Sequence, residues 1–101
     1  MRKINLTQYF IEVEDKKLPF DVKGSIYAAL YHPDLKLAAM ALLSNDRLAQ
    51  KIKSAGDSIL LEEAEYQKIR SAFETLRGWE VHDVELVKRV FDAEEVEVKE
   101  A

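Results

Sequence analysis

The chain has no cysteine, three glycines, two prolines and one tryptophan in 101 residues. Without cysteine there is no disulfide scaffold, no thiolate-ligated zinc centre and no thiol nucleophile. Three scattered glycines leave no phosphate-cradling loop of the usual Gly-rich form. No apolar run approaches the roughly 18 residues of a membrane span. The segment "MRKINLTQYF" carries basic residues but neither the apolar core nor the cleavage site of a signal peptide. The expected setting is therefore cytoplasmic, with no membrane partner.

Hydrophobic residues make up 48% of the chain and charged residues 34%, enough for a packed core in a single domain spanning residues 1–101. The net charge of −4 is unevenly spread: residues 1–56 carry nine Lys/Arg against six Asp/Glu, and residues 57–101 carry six against thirteen. An acidic total disfavours a dedicated nucleic-acid binder, because phosphate neutralisation supplies most of that affinity. The asymmetry would favour head-to-tail association if the two halves faced apart.

Apolar alternation at Tyr9, Ile11 and Val13, then at Leu18, Phe20 and Val22, predicts a β-hairpin over "QYFIEVEDKKLPFDV". "EDKK" reverses the chain without the usual glycine, and Pro19 suits an edge strand. Val22, Ile26, Ala29 and Leu30 share one helical face, with Asp21 or Ser25 as cap. "YHPD" ends that helix, because the residue before proline leaves the α region. Asp34 is expected to cap the next helix, which runs from Leu35 towards Gly56 and is either continuous or broken at "SND", residues 44–46. From Leu37 to Leu43 it is apolar nearly all round, so that part is either deeply buried or faces a partner. "DSILL" reads as a short extended segment bringing Ile59 and Leu61 to the core. A helix follows with Leu61, Ile69, Ala72, Phe73 and Leu76 inside and Tyr66 at the edge, ending by Gly78. Asp83 is expected to cap a last helix whose Val84, Val87 and Phe91 share a face. The tail at 94–101, "EEVEVKEA", is a third strand on the hairpin or a frayed end. The class is α+β: an N-terminal hairpin packed on three to four helices.

The stretch most like chemistry is "LLEEAEYQKIR", with Glu62, Glu63 and Glu65 within four positions. Acids in the first turn of a helix are stabilised by its partial positive charge. Glu65 can pair with Lys68, and Arg70 with Glu74. A metal site would need histidine at defined spacing, and neither His32 nor His82 lies nearby. No serine sits in a Gly-flanked elbow or beside a base. No catalytic residue, metal ligand or cofactor is assigned, and an enzyme is the least favoured class.

"RLAQKIKSAGDSILLEEAEYQKIRSAF" has the outline of a helix-turn-helix, so a small nucleic-acid-binding regulator is the alternative function. Against it, a recognition helix presents basic or amide residues at its N-terminal end, where this one has three glutamates. Trp79, in a loop after Gly78, either plugs the core or anchors a partner. The favoured reading is a non-catalytic protein–protein interaction or assembly module that self-associates. Leu37, Met40, Leu43 and Trp79 are its candidate partner-binding residues.

Residues 48–92, with Leu48, Ala49, Lys51, Ile52, Ala55, Leu61, Glu63 and Ile69 at matching positions, resemble small proteins encoded by tailed bacteriophages and prophages. Those run from a short N-terminal hairpin through a helical segment to an apolar-acidic "L-x-E-E" helix and a final short helix. Leu61 departs from that pattern, which would place Ser or Thr there. The resemblance implies a phage origin, hence the host cytoplasm, and transfers no functional residue.

Overall fold

A computed structural model describes residues 1–97. In chain order the elements are β1 (Arg2–Asn5), β2 (Tyr9–Val13), β3 (Lys16–Phe20), α1 (Val22–Leu30), α2 (Ala39–Ser54), β4 (Ser58–Leu61), α3 (Glu63–Thr75), α4 (Val84–Phe91) and β5 (Glu94–Glu95). Single 3₁₀ turns precede α2 (Pro33–Leu35) and α4 (Val81–Asp83). The α+β class and the N-terminal hairpin are as the periodicity indicates.

The strands form two sheets. β2 and β3 make the hairpin, while β4, β1 and β5 make a separate antiparallel sheet in the order β4-β1-β5. β1 was not legible as a strand. It pairs with β4 from Arg2–Leu61 to Asn5–Ser58, which points Ile4, Ile59 and Leu61 into the core. The tail does contribute a strand, but Glu94–Glu95 pairs with β1 and not with the hairpin. The Val96 amide extends that pairing to the Met1 carbonyl. Residues 98–101 of the expected tail lie outside the described residues.

α1 forms as expected, with Val22, Ile26, Ala29 and Leu30 buried. Asp21 caps it, its Oδ1 accepting the Gly24 amide at 2.9 Å. A Cβ at Gly24 would collide with that carboxylate, so glycine here makes room for the cap. α2 departs from expectation at its start. Asp34 lies in the 3₁₀ turn that His32 caps through Nδ1, and Lys36 is left-handed (φ 50°). The helix begins only at Ala39, behind Ala38, which provides no side-chain cap. It then runs unbroken through "SND" to Ser54, because buried Asn45 donates to the Leu30 carbonyl at 2.9 Å and so fits a helical position against α1. The helix leaves through extended Ala55, so Gly56 is not needed as a left-handed terminator.

The core lies between the three-stranded sheet and helices α1 to α4. Tyr66, expected at an edge, is fully buried: its Oη donates to the Val90 carbonyl at 2.6 Å and ties α3 to α4. α4 turns Leu86 and Val90 inward while Val84 is exposed, a face rotated from the one expected. Asp83 does not cap α4 with its side chain. Its Oδ2 accepts the Glu80 amide at 2.9 Å and closes the preceding 3₁₀ turn.

Tyr9 and Phe20, at the base of the hairpin, join it to this body. Tyr9 stacks on Phe20 with ring centroids 4.6 Å apart, and Tyr9 Oη donates to the His82 carbonyl at 2.6 Å. Arg89 lies 5.2 Å from the centre of the Tyr9 ring, pairs with Glu85 at 3.1 Å and donates to the Thr7 carbonyl. The outer half of the hairpin projects. The Cα radius of gyration is 14.1 Å, against the ~13 Å usual for a domain of this length.

Candidate interaction surfaces

The three glutamates resolve into structure. Glu65 occupies the third helical position of α3 and its Oε1 accepts the Glu62 backbone amide at 3.0 Å, one half of a capping box. Its partner is Lys51 of α2 at 2.9 Å, while Lys68, the expected partner, donates to Ser44. Burial works against ionisation of Glu65. The Lys51 ammonium and the Glu62 amide outweigh it and hold the carboxyl below the ordinary range. Glu63 accepts from Gln67 at 3.0 Å and from Arg2 at 3.2 Å, and both contacts lower its pKa. Arg70 and Glu74 pair at 3.0 Å as expected. The Arg2–Glu63 and Lys51–Glu65 pairs join the basic and acidic halves of the chain, so part of the charge asymmetry is met internally. Among the described residues, no group of three or more His, Asp or Glu stands close enough to hold a metal ion.

The helix-turn-helix outline is interrupted, because strand β4 lies between α2 and α3. The motif needs a turn of three or four residues. Lys51 and Arg70, two of the cations within that outline, are engaged in ion pairs with glutamates.

The apolar stretch at the start of α2 is not buried. Met40 is 78% exposed, Leu43 53% and Leu42 43%, and Ala39 and Ala41 are exposed as well. Only from Asn45 onward does α2 turn buried positions, Asn45, Leu48, Ala49 and Ile52, towards the body. Leu37 sits apart from Met40 and Leu43: it is half-buried in a groove against α3, beside Leu35, Asn45, Gln67, Lys68 and Ser71. Helix α2 is anchored to α1 by a polar cluster in which Tyr31 Oη donates to Asp46 and Gln50 donates to Tyr27 Oη at 3.3 Å. The hydrogen bond to Asp46, with burial, raises the Tyr31 pKa far above the ordinary phenol value.

Trp79 serves the core and keeps an outer face. Its ring lies 4.8 Å from Phe73, its Nε1 donates to the Leu76 carbonyl at 3.0 Å, and it remains 38% exposed. Exposed Val81 and Val84 follow it in sequence.

The hairpin carries a surface that residue patterning did not single out. Phe10 is 67% exposed on the face opposite Tyr9, Ile11 and Val13. The signal was present in the sequence: Phe10 is an aromatic among Glu12 and Glu14 on the face that alternation assigns to water. No helix is long and apolar enough to cross a membrane among the described residues. Comparison with family models, with curated proteins and with solved structures yields no match to this chain.

Proposed function

We propose that this chain is a non-catalytic protein–protein interaction module that self-associates, with the first turns of α2 as its principal contact. The observation that carries this reading is the exposure of Met40, Leu42 and Leu43 on a helix start that has no side-chain cap. Large apolar side chains clustered on a surface are the usual anchors of protein contacts. A partner that covers them would remove this area from water and exclude solvent competition from the first turn. Trp79 is a secondary contact, since its outer face is available while its inner face fills the core. A phage origin and a host-cytoplasmic location belong to the same proposal and rest on the sequence resemblance.

The test is sedimentation of the purified chain at tens of micromolar, with a Met40→Glu/Leu43→Glu variant alongside. The wild type is expected to dimerise or form a larger species, and the variant to sediment as a smaller one. Because both residues are exposed, the variant's monomer stability is expected to change by no more than about 0.5 kcal/mol per site. A wild type that is strictly monomeric at that concentration would end the self-association reading.

A further inference from the structure

The two strands of the hairpin treat their outer edges differently. β2 and β3 are joined by a two-residue loop, Glu14–Asp15, with Val13 opposite Lys16. In such a hairpin the pair flanking the loop exchanges both backbone bonds, and bonded and non-bonded pairs then alternate. Ile11–Leu18 and Tyr9–Phe20 are thus bonded pairs, while Glu12–Lys17 and Phe10–Pro19 turn their amides and carbonyls outward. On β3 the outward edge is blocked, because Pro19 has no amide to offer and Lys16 and Lys17 add charge. Proline and lysine are standard protections of an edge strand. β2 has neither. Its outward groups belong to Phe10 and Glu12, and among the described residues no backbone bond beyond the hairpin reaches residues 9–13. A projecting two-stranded hairpin is marginal alone, and added strands stabilise it.

We propose that the open edge of β2 pairs antiparallel with the same edge of a second copy of this chain, Ile11 of one opposite Ile11 of the other. The two hairpins then form one four-stranded sheet. The register follows from the residues. Phe10 and Glu12 carry the outward groups, so centring on Ile11 sets Phe10 against Glu12 of the second copy twice and uses every outward bond of both. Centring on Glu12 would oppose two carboxylates, which destabilises a cross-strand pair. Centring on Phe10 would leave Glu12 opposite Gln8, outside the strand. By itself the β2 contact is isologous and closed, so it joins two chains and no more, and contact through α2 would join such pairs into a larger species. The blocked β3 edges become the outer edges of the new sheet. This deepens the self-association reading by naming a surface separate from α2.

The absence of cysteine makes the register directly testable. Facing residues of a non-bonded antiparallel pair have Cα atoms ~4.5 Å apart, within the range a disulfide spans. Ile11→Cys is expected to cross-link into a covalent dimer under mild oxidation. Val13→Cys, whose copies would lie ~13 Å apart in this register, is expected not to. In parallel, Glu12→Pro removes one outward amide per copy and no bond to β3. Its loss of two intermolecular bonds is expected to weaken the dimer about 10- to 30-fold by sedimentation. If Glu12→Pro fails to fold, the cysteine pair decides alone. A dimer that Met40→Glu/Leu43→Glu abolishes, that Glu12→Pro leaves intact and that Ile11→Cys does not link would overturn the β2 proposal and leave the α2 reading standing. A strict monomer would overturn both, and capture of an extended foreign peptide by that monomer would identify a different occupant of the edge.

Discussion

Replacing Tyr66 with phenylalanine tests how the C-terminal part of the fold is held. Tyr66 is fully buried, its ring lies under the Arg2 guanidinium at 4.9 Å, and its Oη donates to the Val90 carbonyl at 2.6 Å. α4 ends at Phe91, so the Val90 carbonyl is among the last four of that helix and has no helical amide to accept from. Tyr66→Phe keeps the ring, its packing and its contact with Arg2, and removes only the donor. A buried acceptor left without a partner costs about 1–3 kcal/mol. For a domain of this length each kcal/mol moves the midpoint by about 4–8 °C, so a fall of at least ~4 °C is expected. Urea titration followed by circular dichroism would give the same loss as a lower midpoint with an unchanged slope. Hydrogen exchange should locate the loss in the last turn of α4, which Tyr66 ties to α3. A Phe variant within ~0.3 kcal/mol of wild type would refute the reasoning, because removing the donor would then have left no uncompensated carbonyl.

Three further outcomes follow from particular residues. Glu14 and Asp15 both have positive φ, 51° and 65°, so Glu14→Asn with Asp15→Gly should stabilise the chain by about 1 kcal/mol, read as a higher thermal midpoint. Arg89→Met should cost about 1.5–3 kcal/mol through its lost charge-assisted bonds, with faster hydrogen exchange across residues 9–20 as the base of the hairpin loosens. Glu65 has a folded-state pKa below its ordinary value of 4.5, so it adds stability that is fully present above that value and is lost as pH falls through the folded one. Glu65→Gln should therefore be less stable than wild type near neutral pH, with the gap closing in acid. An equal gap at all pH values would discount the charge.

Local chemistry was legible wherever a residue's neighbours in sequence are also its neighbours in space. Of Asp21 and Ser25, the two caps open to α1, Asp21 is the one used, and the buried stripe Val22, Ile26, Ala29 and Leu30 is the one read from spacing. The i, i+4 pair Arg70–Glu74 forms likewise. The glutamates of α3 belong to the helix start, as their position indicates, though Glu65 pairs with Lys51 from a different helix where Lys68 lies closer in sequence. The environments of the candidate contact residues were not legible in the sequence. Met40 and Leu43 are exposed, whereas Leu37 lines a groove against α3 and Trp79 rests on Phe73.

By itself, then, the sequence determined the class of fold, the hairpin and its protected β3 edge, the buried face of α1 and most of that of α3, and the exclusion of thiol chemistry. Those depend on periodicity, capping and residue inventory, which act over a few residues. Only the tertiary structure decided that residues 2–5 form the central strand between β4 and β5, that Tyr66 lies at the centre of the core, and that the apolar start of α2 faces out. Four residues carry too short a pattern to declare a strand when both partners lie more than fifty positions away. Periodicity locates an apolar face without naming what covers it. Across Met40 to Leu43 the described residues leave the apolar face largely exposed, and the function proposed for the chain begins there.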